Sequence, residues 1–233
     1  MNEYKLPNFK LFWDIDGTLL RTNGAAAEPY AFAASKLIGK EIIIDRKQMS
    51  GLTDYEIAKK LLESANKKIN LNEISKMLDV YCELLPKSLE LGNVEKVGKI
   101  SETLEMLSGI KTVKISIGTG NCFTGLNIKL SHVELLHFFD LDDIFYASEI
   151  NWSRELIMEQ AFNSLNSNQV GIVIGDSPRD IEVAKKSNLK VIAVTSGSHT
   201  RSELMVHAPN AILDGDWGLK ELVNVLNNIS LDL

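Results

Sequence analysis

The chain has 233 residues, 45% of them hydrophobic, and its 31 Asp and Glu outnumber 25 Lys and Arg for a formal charge of -6. That apolar content supports a full core and excludes a disordered chain, while the acidic balance argues against general nucleic-acid binding. An anionic ligand would need local help from a metal, a lysine or backbone amides.

Two cysteines, Cys82 and Cys122, lack CxxC or Cys/His cluster spacing, which predicts reduced thiols and no zinc centre. The first residues carry no apolar signal segment, and no window approaches about 18 apolar residues, so a cytoplasmic protein with no membrane partner is expected.

In chain order, residues 10–15 read as a short buried strand running into the turn Asp16-Gly17-Thr18. From about 23 to 97 the texture is helical, with stretches at 28–37, 54–65 and 72–90. The last opens near Asn72 and carries Ile74, Met77, Leu78, Tyr81 and Leu85 at helical spacing, which gives it one apolar face. The remainder alternates, with strands at 112–117, 144–147, 170–174, 189–194 and 211–213 and helices at 101–107, 123–130, 153–164, 179–187 and 219–226. Short β-rich runs separated by helices predict an α/β fold with a parallel sheet covered on both faces. Ligands of such sheets gather at the carboxyl ends of the strands, so polar residues just past Ile15, Ile117, Ala147 and Ile174 are the candidates for chemistry.

The first strand exit is Asp14-Ile15-Asp16-Gly17-Thr18, whose carboxylates suit a hard divalent cation or acid/base work, or else form an ordinary Asx-type turn. Gly175-Asp176-Ser177-Pro178-Arg179-Asp180 follows a later strand. Asp176 can complete a metal site begun by Asp14, and Ser177-Pro178 reads equally as a helix cap and first helical position. Thr119-Gly120-Asn121 offers a hydroxyl, a flexible backbone and an amide to phosphate oxygens, or is a plain turn.

Taken together, DIDGTLL at 14–20, TGN at 119–121 and GDSPRD at 175–180 resemble the haloacid dehalogenase superfamily, in particular its phosphatases similar to phosphoglycolate phosphatase. The resemblance spans almost the whole chain. It implies a catalytic core of residues 1–20 and 98–233 with a helical cap of residues 21–97 inserted after the first strand. It also implies a magnesium-dependent phosphatase acting on a small phosphorylated metabolite. Asp14 would attack phosphorus; Asp16 would protonate the leaving oxygen and then activate water; Thr119 would hold a phosphoryl oxygen. Magnesium would be held by the Asp14 carboxylate, the Asp16 backbone carbonyl and Asp176, with Asp180 nearby. Gly120 and Asn121 would border the phosphate. The family most often places a lysine beside the nucleophile; this chain has Asn151-Trp152-Ser153-Arg154 there, which makes Arg154 the candidate, with nearby lysines such as Lys129 poorer substitutes by sequence position.

Asp16 and Asp176 argue against dehalogenation. A phosphonate-cleaving enzyme would need a reactive cap lysine, for which Lys59 and Lys60 are the candidates against solvated helix positions. A phosphosugar mutase would use the same Asp14 and Asp16, and an intact pair of carboxylate clusters argues against a non-catalytic regulatory module. Gly51-Leu52-Thr53-Asp54 resembles a substrate-facing cap loop, with Thr53 and Asp54 open to a second reading as a helix cap. Trp13 is expected in the core, and the four histidines form no ligand set. The sequence leaves the oligomeric state open.

Overall fold

A computed structural model describes residues 6–64, 69–215 and 217–231. Its strands are β1 (Phe9–Trp13), β2 (Leu20–Arg21), β3 (Glu95–Lys96), β4 (Val113–Cys122), β5 (Ile144–Ala147), β6 (Val170–Gly175), β7 (Lys190–Val194) and β8 (Ala211–Leu213). The helices before β4 are α1 (Ala27–Ile38), α2 (Arg46–Met49), α3 (Asp54–Glu63), α4 (Leu71–Leu91) and α5 (Ile100–Ser108). Those after it are α6 (Phe123–His132), α7 (Arg154–Asn163), α8 (Pro178–Lys186), α9 (Arg201–Met205) and α10 (Leu219–Leu231).

Six strands make one parallel sheet in the order β5, β4, β1, β6, β7, β8. Each crossover carries the chain back along a face of the sheet, so both faces are covered. Alternation along β1 shows the two layers: Phe9, Leu11 and Trp13 join the core under α5, α6 and α10, while Phe12 faces α7 and α8. Trp13 is fully buried and stacks on Trp217, with ring centroids 5.9 Å apart. Lys10 also lies inside β1; its ammonium is held by Asp143 at 2.6 Å and Ser164 at 2.9 Å, which supplies the compensation a buried charge requires.

The helical cap follows β1. Its α1, α3 and α4 bury Tyr30, Ala33, Leu62, Met77, Tyr81 and Leu85 against one another, and Tyr30 stacks on Tyr81 at 3.8 Å. The cap of α4 lies at Asn70, two residues before the expected Asn72, because it is the Asn70 carboxamide oxygen that accepts the Glu73 amide. The far end of the expected helix at 54–65 reaches Ala65, which lies outside the described residues. The two chain passages between cap and core pair as the antiparallel ribbon β2–β3, which no hydrophobic pattern announces.

One strand differs from its sequence reading. β4 continues through Thr119-Gly120-Asn121 to Cys122, beyond the expected end at residue 117, with a register irregularity against β5 between Gly118 and Cys122. Gly120 and Asn121 have little intrinsic preference for strand; sideways bonds from Thr119, Asn121 and the Cys122 amide hold the segment extended.

Candidate active site

β1, β4 and β6 are neighbours, so their carboxyl ends bring the three motifs to one rim. Asp14 leaves β1 with its amide still bonded to the Ile174 carbonyl at 2.9 Å, which fixes its side chain in the rim. Thr119 donates to Asp14 Oδ1 at 2.9 Å, and Arg154 reaches Oδ2 at 3.1 Å. Ser153 caps α7 by accepting the Leu156 amide, and this places Arg154 at the start of the helix. The guanidinium bridges two acids, since its other terminal nitrogen lies 2.7 Å from Asp180 Oδ1. A planar fork suits that double contact better than a single ammonium would.

Asp180 has a second attachment. It is the third residue of α8 in a capping box, taking the Ser177 amide at 3.0 Å and hydroxyl at 2.6 Å on Oδ2, while Pro178 opens the helix. The segment 175–180 therefore serves as helix start and as site wall at once.

Asp14, Asp176 and Asp180 offer carboxylate oxygens within 4.8 Å of one another, all three residues buried. Asp176 has no hydrogen bond or ion pair among the described residues. Gly17 and Gly197 make room for it: a Cβ on either would lie 2.5 Å or 1.6 Å from Asp176 Oδ2. Gly17 also turns the chain with φ +81°, a conformation that favours glycine. Burial, then Arg154 pulling down and Asp180 and Asp16 pushing up, leave the Asp14 carboxyl raised to about 6. Burial, with Asp180 and Asp14 adding to it, holds Asp176 well above the ordinary carboxylate range. Ionised together, the three buried acids would carry more negative charge than one guanidinium offsets, and an oxygen-rich set of this kind fits a small hard divalent cation.

The Asp16 carboxylate does not join that trio. Its Oδ2 accepts from Asn121 at 2.8 Å and from the Lys129 ammonium at 2.6 Å. Lys129 is the residue that sequence reading passed over, naming it only as a poorer substitute for Arg154. A lysine between Leu126 and Leu130 on the buried face of α6 was the available signal. Burial works against its charge, but Asp16 and Asp54 outweigh it and raise its pKa.

The cap meets this rim through residues 50–54. Gly120 permits the approach, because a Cβ there would lie 3.0 Å from both the Leu52 carbonyl oxygen and Thr53 Cα. Thr53 caps α3: its hydroxyl accepts the Glu56 amide at 3.1 Å and donates to the Trp152 carbonyl at 2.5 Å. That hydroxyl donates one bond and accepts another and does not line the cavity, which favours the capping reading of Thr53. Asp54 does line the cavity, and its Oδ2 accepts the Cys122 amide at 2.8 Å across the cap and core. Cys82 of α4 and Cys122 of β4 come together there as free thiols, Sγ to Sγ 3.7 Å. Lys59 pairs with Glu63 and lies over Trp152, Lys60 reaches the Gln48 carbonyl, and neither borders the cavity, which speaks against the reactive-lysine reading. None of the four histidines lines it either.

The cavity has a volume of about 720 Å³ and takes its walls from both cap and core, including Asp14, Asp16, Tyr30, Asp54, Lys129 and Arg154. No helix among the described residues is long and apolar enough to cross a membrane.

The sequence profile of the haloacid dehalogenase-like hydrolases matches residues 11–194. Among solved structures, a predicted phosphatase from Clostridium acetobutylicum is 21% identical with TM-score 0.69, covering 98% of this chain and 100% of that one. A family IA, variant 3 HAD hydrolase from Entamoeba histolytica is 19% identical with TM-score 0.71, covering 94% and 100%. A provisionally named beta-phosphoglucomutase from Bacteroides vulgatus is 15% identical with TM-score 0.72, covering 96% and 90%. At such identities the structural likeness speaks for the fold alone, and no curated protein matches the chain. The match to the family profile over most of the sequence makes the chain a member of the haloacid dehalogenase-like hydrolase family.

Proposed function

We propose that the chain is a magnesium-dependent phosphomonoester hydrolase that cleaves a small phosphorylated metabolite through a phosphorylated Asp14. The observation that carries this reading is the setting of the Asp14 carboxylate: buried, held on one oxygen by Thr119 and on the other by Arg154, and grouped with Asp176 and Asp180.

Phosphoryl transfer chiefly demands an aligned nucleophile and compensation of charge on the transferring oxygens. Asp14 attacks phosphorus, and the bond to the leaving oxygen breaks as Asp16 supplies it a proton. Asp16 then takes a proton from water, which attacks the aspartyl phosphate at phosphorus and returns Asp14 as a carboxylate. Arg154 and Thr119 hold Asp14 and the phosphoryl oxygens, and the Gly120 and Asn121 edge borders them. Asp14, Asp176 and the Asp16 carbonyl would hold magnesium, with Asp180 orienting Arg154 beside them. When bound, the cation neutralises phosphoryl charge and relieves the three buried acids. Residues 1–20 and 98–233 form the core in this reading, and residues 21–97 form the cap that selects the substrate.

Phosphoglycolate, sugar phosphates and nucleotides are the candidate substrates, the first because the DIDGTLL, TGN and GDSPRD motifs and the 51–54 cap loop resemble that group. A phosphosugar mutase is the second reading; it uses the same two aspartates, and the cavity has room well beyond a phosphate. Phosphate release from phosphoglycolate, sugar phosphates and nucleotides, with magnesium and with chelator, tests the proposal. Magnesium-dependent release supports a phosphatase and ranks the substrates, whereas isomerisation primed by a bisphosphate without net release points to the mutase.

A further inference from the structure

Lys129 has no part in the two steps above, yet its side chain is 3% exposed and it borders the cavity. Lysine is seldom buried to that degree without strong partners, and an apolar residue of similar length would pack α6 as well.

The bonds it makes form one connected chain. Lys129 Nζ donates to Asp16 Oδ2 and to Asn121 Oδ1, each at 2.6 Å. With its oxygen so engaged, the Asn121 amide turns its two protons toward acceptors, Asp16 Oδ2 at 2.8 Å and Thr119 Oγ1 at 3.0 Å. Thr119 in turn donates to Asp14 Oδ1 at 2.9 Å. Lys129 thus sets the Asp16 carboxylate directly and sets the sense of the amide that links Asp16 to the nucleophile's partner. Both contacts fall on Oδ2 of Asp16, which leaves Oδ1 without a hydrogen bond among the described residues.

We infer that Lys129 is a positioning residue for the proposed reaction, anchoring the Asp16 carboxylate by one oxygen so that the other meets the leaving group and then the attacking water. The inference rests on the phosphatase reading. Lys129 is not a second phosphate clamp: its bonds go to Asp16 and Asn121, while Arg154 holds Asp14. Asp16 needs such an anchor because its side chain is 41% exposed and stands at the open part of the site. A carboxylate free to rotate there meets the leaving oxygen only part of the time.

The test is single-turnover cleavage of two esters by wild type and Lys129→Met. One ester is the alkyl phosphate that the wild type turns over fastest, and the other is p-nitrophenyl phosphate, whose leaving group departs without a proton. A lysine acting through Asp16 predicts a loss of about 10-fold or more on the alkyl ester with KM nearly unchanged, and a loss below about threefold on the aryl ester. Lys129→Gln keeps a donor and is expected to fall between wild type and Lys129→Met; it also serves where the methionine variant fails to fold. Equal losses on both esters, or none on either, overturn the inference. A wild type whose cleavage is indifferent to Asp14→Asn overturns the phosphatase reading itself and the inference with it.

Discussion

At Asp176 a carboxylate lies 6% exposed between two glycines with no hydrogen-bond donor set against it among the described residues, and with Asp14 this shapes how the metal-free chain responds to pH. Burial raises Asp14 from 3.8 to about 6 and holds Asp176 well above 3.8. Between those values the folded chain keeps protons that the unfolded chain has lost, so stability falls as pH rises from about 4 through about 6 and beyond. Each such carboxyl contributes up to about 1.4 kcal/mol per pH unit. Melting in chelator should therefore show Tm falling across that window, and magnesium should raise Tm more near about pH 7 than near about pH 5, because the ligands must be ionised. A Tm that climbs steadily with pH in chelator contradicts this. Arg154 gives a second prediction at the same scale. Arg154→Ala leaves Asp14 and Asp180 facing each other uncompensated, and kcat should drop about 100-fold or more. Arg154→Lys should recover only part of it, since one ammonium cannot make both contacts in the same geometry. Asp14, Asp176 and Arg154 were legible because each stands in a motif at a strand or helix end. Lys129 was not, since its importance depends on α6 turning it toward Asp16, a contact across 113 residues of sequence.

Among the elements, the cap loop and α3 carry the contact of the cap with the rim. Gly120→Ala would place a Cβ against the Leu52 carbonyl and Thr53 Cα, both backbone, and 3.4 Å from Arg154 Nε. Steady-state kinetics should show KM rising several-fold, about 5-fold or so, as the loop is pushed from the rim. An unchanged KM would mean that the loop does not approach substrate. Thr53→Ala removes the cap of α3 and the bond to Trp152, at a cost of about 1 kcal/mol or more in denaturant unfolding. Helices with an apolar stripe, such as α4, were readable from spacing alone. The β2–β3 ribbon was not, because two-residue strands carry no periodicity, and β4 was cut short because Thr119-Gly120-Asn121 looks like a turn until its lateral partners are known.

Across the whole molecule, the class of fold followed from alternating strand and helix patterns, but the strand order did not: pairing of β1 with both β4 and β6 is a long-range fact. That order makes the site, by setting residues 14, 119 and 176 side by side. The packing of α4 against the carboxyl end of β4 brings the thiols of Cys82 and Cys122 together between cap and core. The Cys122 thiol is pushed up by its contact with Cys82 and by burial, and it is 8% exposed. Mass-mapped alkylation near neutral pH should modify Cys82 ahead of Cys122; the reverse order would contradict this packing of cap on core. A phosphorylated Asp14 would be trapped by rapid acid quench during turnover, borohydride reduction and peptide mapping. Asp14 should be recovered as homoserine, dependent on substrate and magnesium; turnover with the phosphoryl group on another residue, or on none, would contradict a phosphorylated Asp14.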